Sequence, residues 1–480
     1  MPGRGRYAAL RPACFFVVCH CVVPLGCKSI VADDDGPLPT GLSCDPQGAS
    51  AIDPWTGGIS YDRVDMPCLG LNMDPTHFQE LSRSHRFGTG DPFRQLLGII
   101  TRDCTTGFPS AFRWYEAELE VGDQRLPRVG VRKKGFLGSV TGHGMLKPSL
   151  KLKIDKFIGG RTLGDDERVT LNNSVQDPTG VRTCLAYDLF AKAGYPAPRC
   201  NLVSLMVNGE PQGLYVHLEP IKRRFLRRNF ASDNGDLYEG TLVDLTPAFL
   251  DDRAMTGGLG RWEAKTADTD RNGGPLRALV RALQAPDEGL VEALEPLLDL
   301  DRFIAFWALE WLIGHADGYA SNHNNFFIYF DPSDDGRATF LPWGIDDVLG
   351  GDNEHDGLPH SYMFAELPRR LSHNPELVRR LERQMGRLLD TIWVEEEILA
   401  SVDTYAEQVQ RAVQDPEYAK ELDALKSWIL RRRDQLSGYL ATGLPRGAAE
   451  PPTCFTVGLG SGLGAVQDVA DGVGTFTFAF

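Results

Sequence analysis

Polar and apolar positions alternate in short blocks through the first half of the chain and then give way to longer helical periods. Between 62 and 135 the alternation predicts several strands, with a helix around 74–82 (DPTHFQELS). KPSLKLKI at 147–154 reads as a strand with Lys151 and Lys153 on one face and Leu150, Leu152 and Ile154 on the other. Residues 179–194 have amphipathic helical spacing that stops at Gly194, and Pro196 and Pro198 bar its continuation. NLVSLMV, the Asn208-Gly209 pair and GLYVHLE spell a hairpin. A long apolar helix is expected over 298–314, followed by a polar loop with Asp317, Asn322, Asn324 and Asn325. Two strands then flank the turn DPSDDGR: FFIYF at 326–330 and ATFLP, which delivers Asp346 and Asp347. Beyond 362 the pattern is helical through 440, with interruptions at Asn374-Pro375 and near Pro416.

These periods divide the chain into a body at 61–444, a flexible linker at 28–60 rich in Asp, Gly, Pro and Ser, and a Gly/Pro-rich tail at 445–480. Ahead of the linker, Arg4, Arg6 and Arg11 precede the apolar run ACFFVVCHCVVPLG, so residues 1–27 read as a secretory signal. The run is too short and too interrupted for a membrane span. Leu25-Gly26-Cys27 resembles the end of a bacterial lipobox, with Pro24 departing from it. A lipid on Cys27 would tether an exported protein to the envelope, and an ordinary cleaved signal is the alternative.

Composition narrows the class. With 42% hydrophobic and 24% charged residues among 480, the chain can bury an ample core. Its formal charge of −15 argues against nucleic acid as a partner. Six of ten cysteines lie beyond the leader, without the CxxC spacing of a structural zinc site. Export permits disulfides, Cys68–Cys104 being one pairing, with free buried thiols as the alternative.

Helix, Asp/Asn loop, hairpin and Asp loop is the order in which protein kinases lay out a catalytic base and two metal ligands. Oxygen ligands of this kind suit a hard divalent ion bridging phosphates. In this layout Asp317 is the candidate catalytic base. Asn322 follows it by five residues, the spacing of the ordinary kinase pattern. His315 and His323 also flank Asp317, but no HExxH occurs to support a metallohydrolase, and no GxSxG supports a serine hydrolase.

KPSLKLKIDKF, LNNSVQDP, LFAKAGYPAPR, VNGEPQGLYVHLE, WEAK and the NNFFIY…LPWGIDD block form one ordered series over roughly 65–440. Together they resemble the spore-coat protein H (CotH) kinase family of atypical protein kinases. The resemblance implies an α+β, two-lobed, protein kinase-like fold with an antiparallel sheet N-lobe and a largely helical C-lobe. It implies an ATP-dependent serine/threonine kinase using Mg²⁺ or Mn²⁺ on a protein of the envelope or coat. The family places its metal-binding Asn directly before the aromatic strand, at Asn325, with Asn322 in reserve. Many relatives read Pro-Trp-Asp-x-Asp where this chain has Pro342-Trp343-Gly344-Ile345-Asp346, which leaves Asp346 as the second metal ligand. Lys147, Lys151 and Lys265 are candidate phosphate-binding cations, with Glu219 a candidate partner for one of them. Gly344 leaves room for a non-catalytic surface scaffold or adhesin, and AMP transfer is a further alternative.

Overall fold

A computed structural model describes residues 44–46, 51–53, 56–61, 66–100, 104–136, 146–250, 259–351, 359–413 and 415–453. The expected signal segment, most of the expected linker and residues 454–480 lie outside these.

Seven strands close into a barrel: β1 (Cys68–Met73), β2 (Tyr115–Val121), β3 (Gln124–Lys133), β4 (Leu150–Lys153), β5 (Arg168–Asn172), β6 (Cys200–Val207) and β7 (Glu210–Leu218). Around the ring the order is β1-β2-β3-β4-β5-β7-β6. Parallel pairing of β1 with β6 completes it, with Cys68 opposite Ser204 and Leu71 opposite Val207. Alternation then fills the interior: Leu69, Leu71, Leu119, Val131, Leu150, Leu152, Val169 and Val203 are buried in one cluster. Lys151 and Lys153 point the other way, as their strand period requires. Asn208 and Gly209 join β6 to β7 with φ of 53° and 81°, the positive values a two-residue hairpin turn demands.

A second, four-stranded antiparallel sheet has the order β11-β10-β8-β9, from β8 (Asp236–Gly240), β9 (Trp262–Ala264), β10 (Phe326–Asp331) and β11 (Arg337–Pro342). The apolar helix Leu300–Ile313 packs on it through aromatic contacts, with the Phe303 and Phe340 rings 4.9 Å apart. Helices Pro375–Thr391, Glu395–Ala412 and Tyr418–Thr442 extend the same core. Helix Pro75–Arg83 begins at Asp74, whose carboxylate caps Thr76 and His77 N–H groups. Helix Pro92–Ile100 falls where only strands were expected. Among the described residues no helix is long and apolar enough to cross a membrane.

This architecture corrects the two-lobed kinase-like expectation. The first half is a closed barrel of mixed pairing, where an antiparallel sheet N-lobe was expected. The second half mixes helices with a sheet of its own and is not a largely helical lobe. Closure rests on pairing 68–71 with 204–207, and no local period encodes a contact between such distant segments. It also removes the sheet edges that an open arrangement would leave unpaired.

The expected Cys68–Cys104 pairing is also overturned. Cys68 bonds Cys44 with Cα atoms 5.9 Å apart, and Cys184 bonds Cys200 with Cα atoms 5.2 Å apart. Cys104 is disulfide-bonded as well. Residues 51–53 and 56–61, most of them in the expected linker, pack against the barrel: Ala51 and Ile59 are buried, and Ile59 N–H donates to Asp166 Oδ2 at 3.2 Å.

Candidate active site

Helix Leu300–Ile313 ends at Gly314, whose φ of 72° turns the chain into the polar loop. Buried Glu310 reaches forward from this helix and accepts the Tyr319 and Ala320 N–H groups at 2.8 and 3.0 Å. Gly318 lies against it. A Cβ there would stand 2.2 Å from Glu310 Oε1 and 2.6 Å from His315 Nδ1, so the glycine after Asp317 is a packing requirement. On the far side, buried Asp244 accepts Tyr319 Oη at 3.0 Å and Glu366 N–H at 2.8 Å. Its other neighbour is His323, whose Nε2 lies 3.4 Å away. Burial raises the Asp244 carboxyl to about 6 and lowers the His323 imidazole to about 3.

Held from both sides, the loop gathers three amides around one carboxylate. Asp317 accepts Asn322 Nδ2 at 2.5 Å, Asn325 Nδ2 at 2.6 Å and Asn324 Nδ2 at 3.3 Å. Asn325 adopts φ of 52°, and its carbonyl accepts Trp343 N–H at 3.2 Å, which links this loop to the one carrying Asp346. The Asp346 carboxyl is raised to about 6, by burial above all and against the pull of Lys134, with Asp317 adding repulsion. Lys134 is itself lowered to about 8 by burial, with Asp346 and Glu239 opposing. Its ammonium also donates to Asn172 Oδ1 and lies 5.9 Å from the centre of the Trp343 ring.

Lys134 and Trp343 lead into a cationic cleft. Two adjoining recesses, of about 170 and about 340 Å³, share Arg132, Lys151, Glu239, Glu263 and Lys265. Trp114, Trp343 and Phe327 edge the first, and Lys134, Arg86 and Arg261 edge the second. Lys151 is lowered to about 7 by burial and by its neighbour Lys265, with Lys134 and Arg132 adding to the crowding and Glu239 opposing. Burial alone would raise Glu239, but Lys265 and Lys151 overrule it and hold the carboxyl at about 2. Lys265 pairs with Glu239 and lies 3.1 Å from Glu263. The cleft therefore presents more positive charge than its two carboxylates neutralise, which suits a polyanionic ligand.

The expected site residues separate into two groups. Asp317, Asn322 and Asn325 come together, with Asp346 electrostatically coupled to Asp317 across the joined loops, and Lys151 and Lys265 meet in the cleft. Glu219 and Lys147 do not join them. Glu219 is buried at the end of the barrel between Arg228 and Arg199, 3.3 Å from Arg199 Nη2, so it pairs no cleft lysine. Lys147 stacks over the Tyr215 ring at 5.0 Å and lines neither recess. Glu239 fills the role proposed for Glu219. No motif marks it, because a lone carboxylate in LYEG reads as an ordinary strand residue until β8 lies between β9 and β10. Asp244 and Glu310 were missed for the same reason, each being one acidic residue in an apolar stretch.

The residues present fit a divalent ion. Asn322 Oδ1 is buried without a hydrogen-bond partner, and Asp346 is a carboxylate that its protein neighbours only partly compensate. Among the described residues no three His, Cys, Asp or Glu side chains form a complete metal cage. Mg²⁺ asks for none, since it takes one or two carboxylates and completes its shell with waters and phosphates. His315 and His323 are buried beside Glu310 and Asp244, 3.6 and 3.4 Å from their carboxylate oxygens.

The molecule is thus a barrel-containing α/β protein whose Asp/Asn loops border a cationic cleft. It belongs to the CotH kinase protein family, whose model matches residues 138–436 and so takes in β4, both loops and the cleft residues Lys151, Glu239 and Lys265, with Arg132 and Lys134 lying ahead of it. Invasin CotH2 of Rhizopus delemar is 26% identical over 223 residues, covering 45% of this chain and 37% of the relative. Invasin CotH3 of the same fungus is 28% identical over 201 residues, 40% of this chain and 33% of the relative. Inner spore coat protein H of Bacillus subtilis is 20% identical over 303 residues, 59% of this chain and 82% of the relative. The match thus spans about a third of the two fungal relatives' length.

Proposed function

We propose that this protein is an exported serine/threonine kinase that transfers the γ-phosphoryl of ATP to a protein of a coat or envelope. One observation carries the reading: Asp317, fixed by three amides, is electrostatically coupled to Asp346, and Asp346 to Lys134, which lines a cleft holding more cations than carboxylates. In the proposed reaction Asp317 orients the acceptor hydroxyl and takes its proton. Lys151, Lys134 and Arg132 meet the phosphates, and the Glu239–Lys265 pair fixes the cleft wall. Asp346 and Asn325, with Asn322 beside them, would hold Mg²⁺ or Mn²⁺. That ion supplies charge neutralisation at the phosphates. The chain's own work is positioning and electrostatics, which is most of what phosphoryl transfer asks.

Export is supported by the disulfides and by the relatives, a spore coat protein and invasins. A lipid on Cys27 would complete that placement. Those invasin names and Gly344 also favour a second reading, a surface scaffold or adhesin whose cleft binds without transferring.

The deciding experiment incubates purified protein with γ-labelled or α-labelled ATP and Mg²⁺ or Mn²⁺, with Asp317→Asn as control. Label from γ-ATP alone, lost in the variant, supports the kinase. Label from α-ATP replaces it with AMP transfer. No label, with or without metal-dependent ATP binding, would leave the scaffold.

A further inference from the structure

Within the expected tail, residues 447–449 dock at the end of helix Glu366–Leu371, against Arg369, Ser372 and His373. Gly447 N–H donates to Ser372 Oγ at 2.8 Å, and Gly447 O lies 3.1 Å from His373 Nε2. Arg369 Nη1 donates to the Ala448 and Ala449 carbonyls, both at 3.0 Å. The other edge of the same guanidinium grips Glu366 with two hydrogen bonds, at 2.8 and 3.0 Å. Glu366 N–H in turn donates to Asp244, the carboxylate that holds Tyr319 Oη. Just before this helix, Phe364 and Ala365 N–H groups donate to Ala320 O at 3.2 and 3.1 Å.

We propose that residues 444–449 form a positioning strap for the Asp317 loop, acting through Arg369, Glu366 and Asp244. The proposal rests on the kinase reading for its consequence in catalysis. Arg369, Glu366, Asp244 and Tyr319 are all buried, so each polar group depends on the next for satisfaction. Arg369 divides its fork between a carboxylate and the strap carbonyls. When the strap leaves, the buried Arg369 guanidinium loses two acceptors, and the turn that supplies N–H groups to Asp244 and Ala320 loosens with them. The face of the loop opposite Glu310 then loses its support. A contiguous chain of contacts alone does not demonstrate coupling, so the test must read the loop itself.

The test uses the full chain. Arg369→Ala leaves Glu366 buried and unpaired and so risks the fold. The variant of choice is therefore Gly447→Val, since a Cβ at 447 would stand 2.8 Å from Arg369 Cα and 3.0 Å from Met363 O. Arg446→Ala, on an exposed neighbouring residue, is the control. Amide exchange is measured for 319–325, for 444–453 and for the barrel strands. For Gly447→Val, exchange in 319–325 should rise about tenfold while β3 to β5 stay protected, a change within the range of measured couplings. Transfer kcat should fall about tenfold with the Kd for ATP nearly unchanged, as for misplacement of a reacting group. Faster exchange confined to 444–453, or an equal rise everywhere, would overturn the strap. The exchange measurement needs no transfer, so a wild type that fails to phosphorylate sinks the kinase reading and leaves the strap to be judged by exchange alone.

Discussion

Gly344 and Asn325 compete for one space: a Cβ on Gly344 would stand 2.3 Å from Asn325 Oδ1. The glycine sits at φ of 55°, and its missing side chain is what lets the Asn325 amide lie against Asp317. Gly344→Ala should therefore cost about 1–2 kcal/mol from the left-handed backbone and the displaced amide. It should also lower transfer by detaching Asn325 from Asp317. Denaturant unfolding and the labelled-ATP assay read the two effects, and an unchanged rate would remove Asn325 from the site.

Asp317→Asn and Asp346→Asn should fail differently. The first removes the proton acceptor and should slow transfer by on the order of a hundredfold or more while leaving ATP binding intact. The second should weaken binding of ATP only when Mg²⁺ or Mn²⁺ is present. Calorimetric titration with and without metal separates them. Full activity in both variants would refute the site.

Nucleotide binding should take up protons. Free Lys151 has its pKa lowered to about 7, and a bound polyphosphate raises it again by replacing crowded cations with anions. Affinity is then highest at and below neutrality. It falls as pH rises through the free-state value, by about tenfold per unit for one proton. Lys222, also lowered to about 7 by burial, and Lys134 at about 8 titrate in the same range. Lys151→Met should weaken binding and reduce the measured uptake by about one proton without abolishing it. Titrations in buffers of different ionisation enthalpy give that number directly.

Stability should decline in acid through His217. This buried imidazole is lowered from 6.5 to about 3 by burial and then by Arg199, and it is held by Asn201 Oδ1 at 3.1 Å and Tyr61 Oη at 3.3 Å. Its folded value lies below its unfolded one, so the unfolded chain binds the extra proton. Its contribution is complete above pH 6.5 and is lost as pH falls toward about 3. Between about pH 7 and about pH 4.5 the wild type should lose about 3 kcal/mol more than His217→Asn. Equal losses in the two proteins would mean that His217 is not neutral in the fold.

Local pattern alone settled much of this protein. Alternation placed Lys151 outward on β4, Asn208-Gly209 set the hairpin turn, and the helix–loop–hairpin series brought Asn322 and Asn325 to the Asp317 carboxylate. These features depend on neighbours a few residues apart, where side-chain period and turn chemistry act. Tertiary structure decided the rest. Pairing β1 with β6 made a closed barrel where a kinase-like lobe was expected, and Cys68 met Cys44 and not Cys104. Glu219 went to two arginines at the barrel's end, and Glu239 went to Lys265 in the cleft. Both are single carboxylates at the end of an apolar strand, alike in sequence. Only strand pairing decides which charge each one faces, and that Coulomb partner is what distinguishes a cleft residue from a structural one.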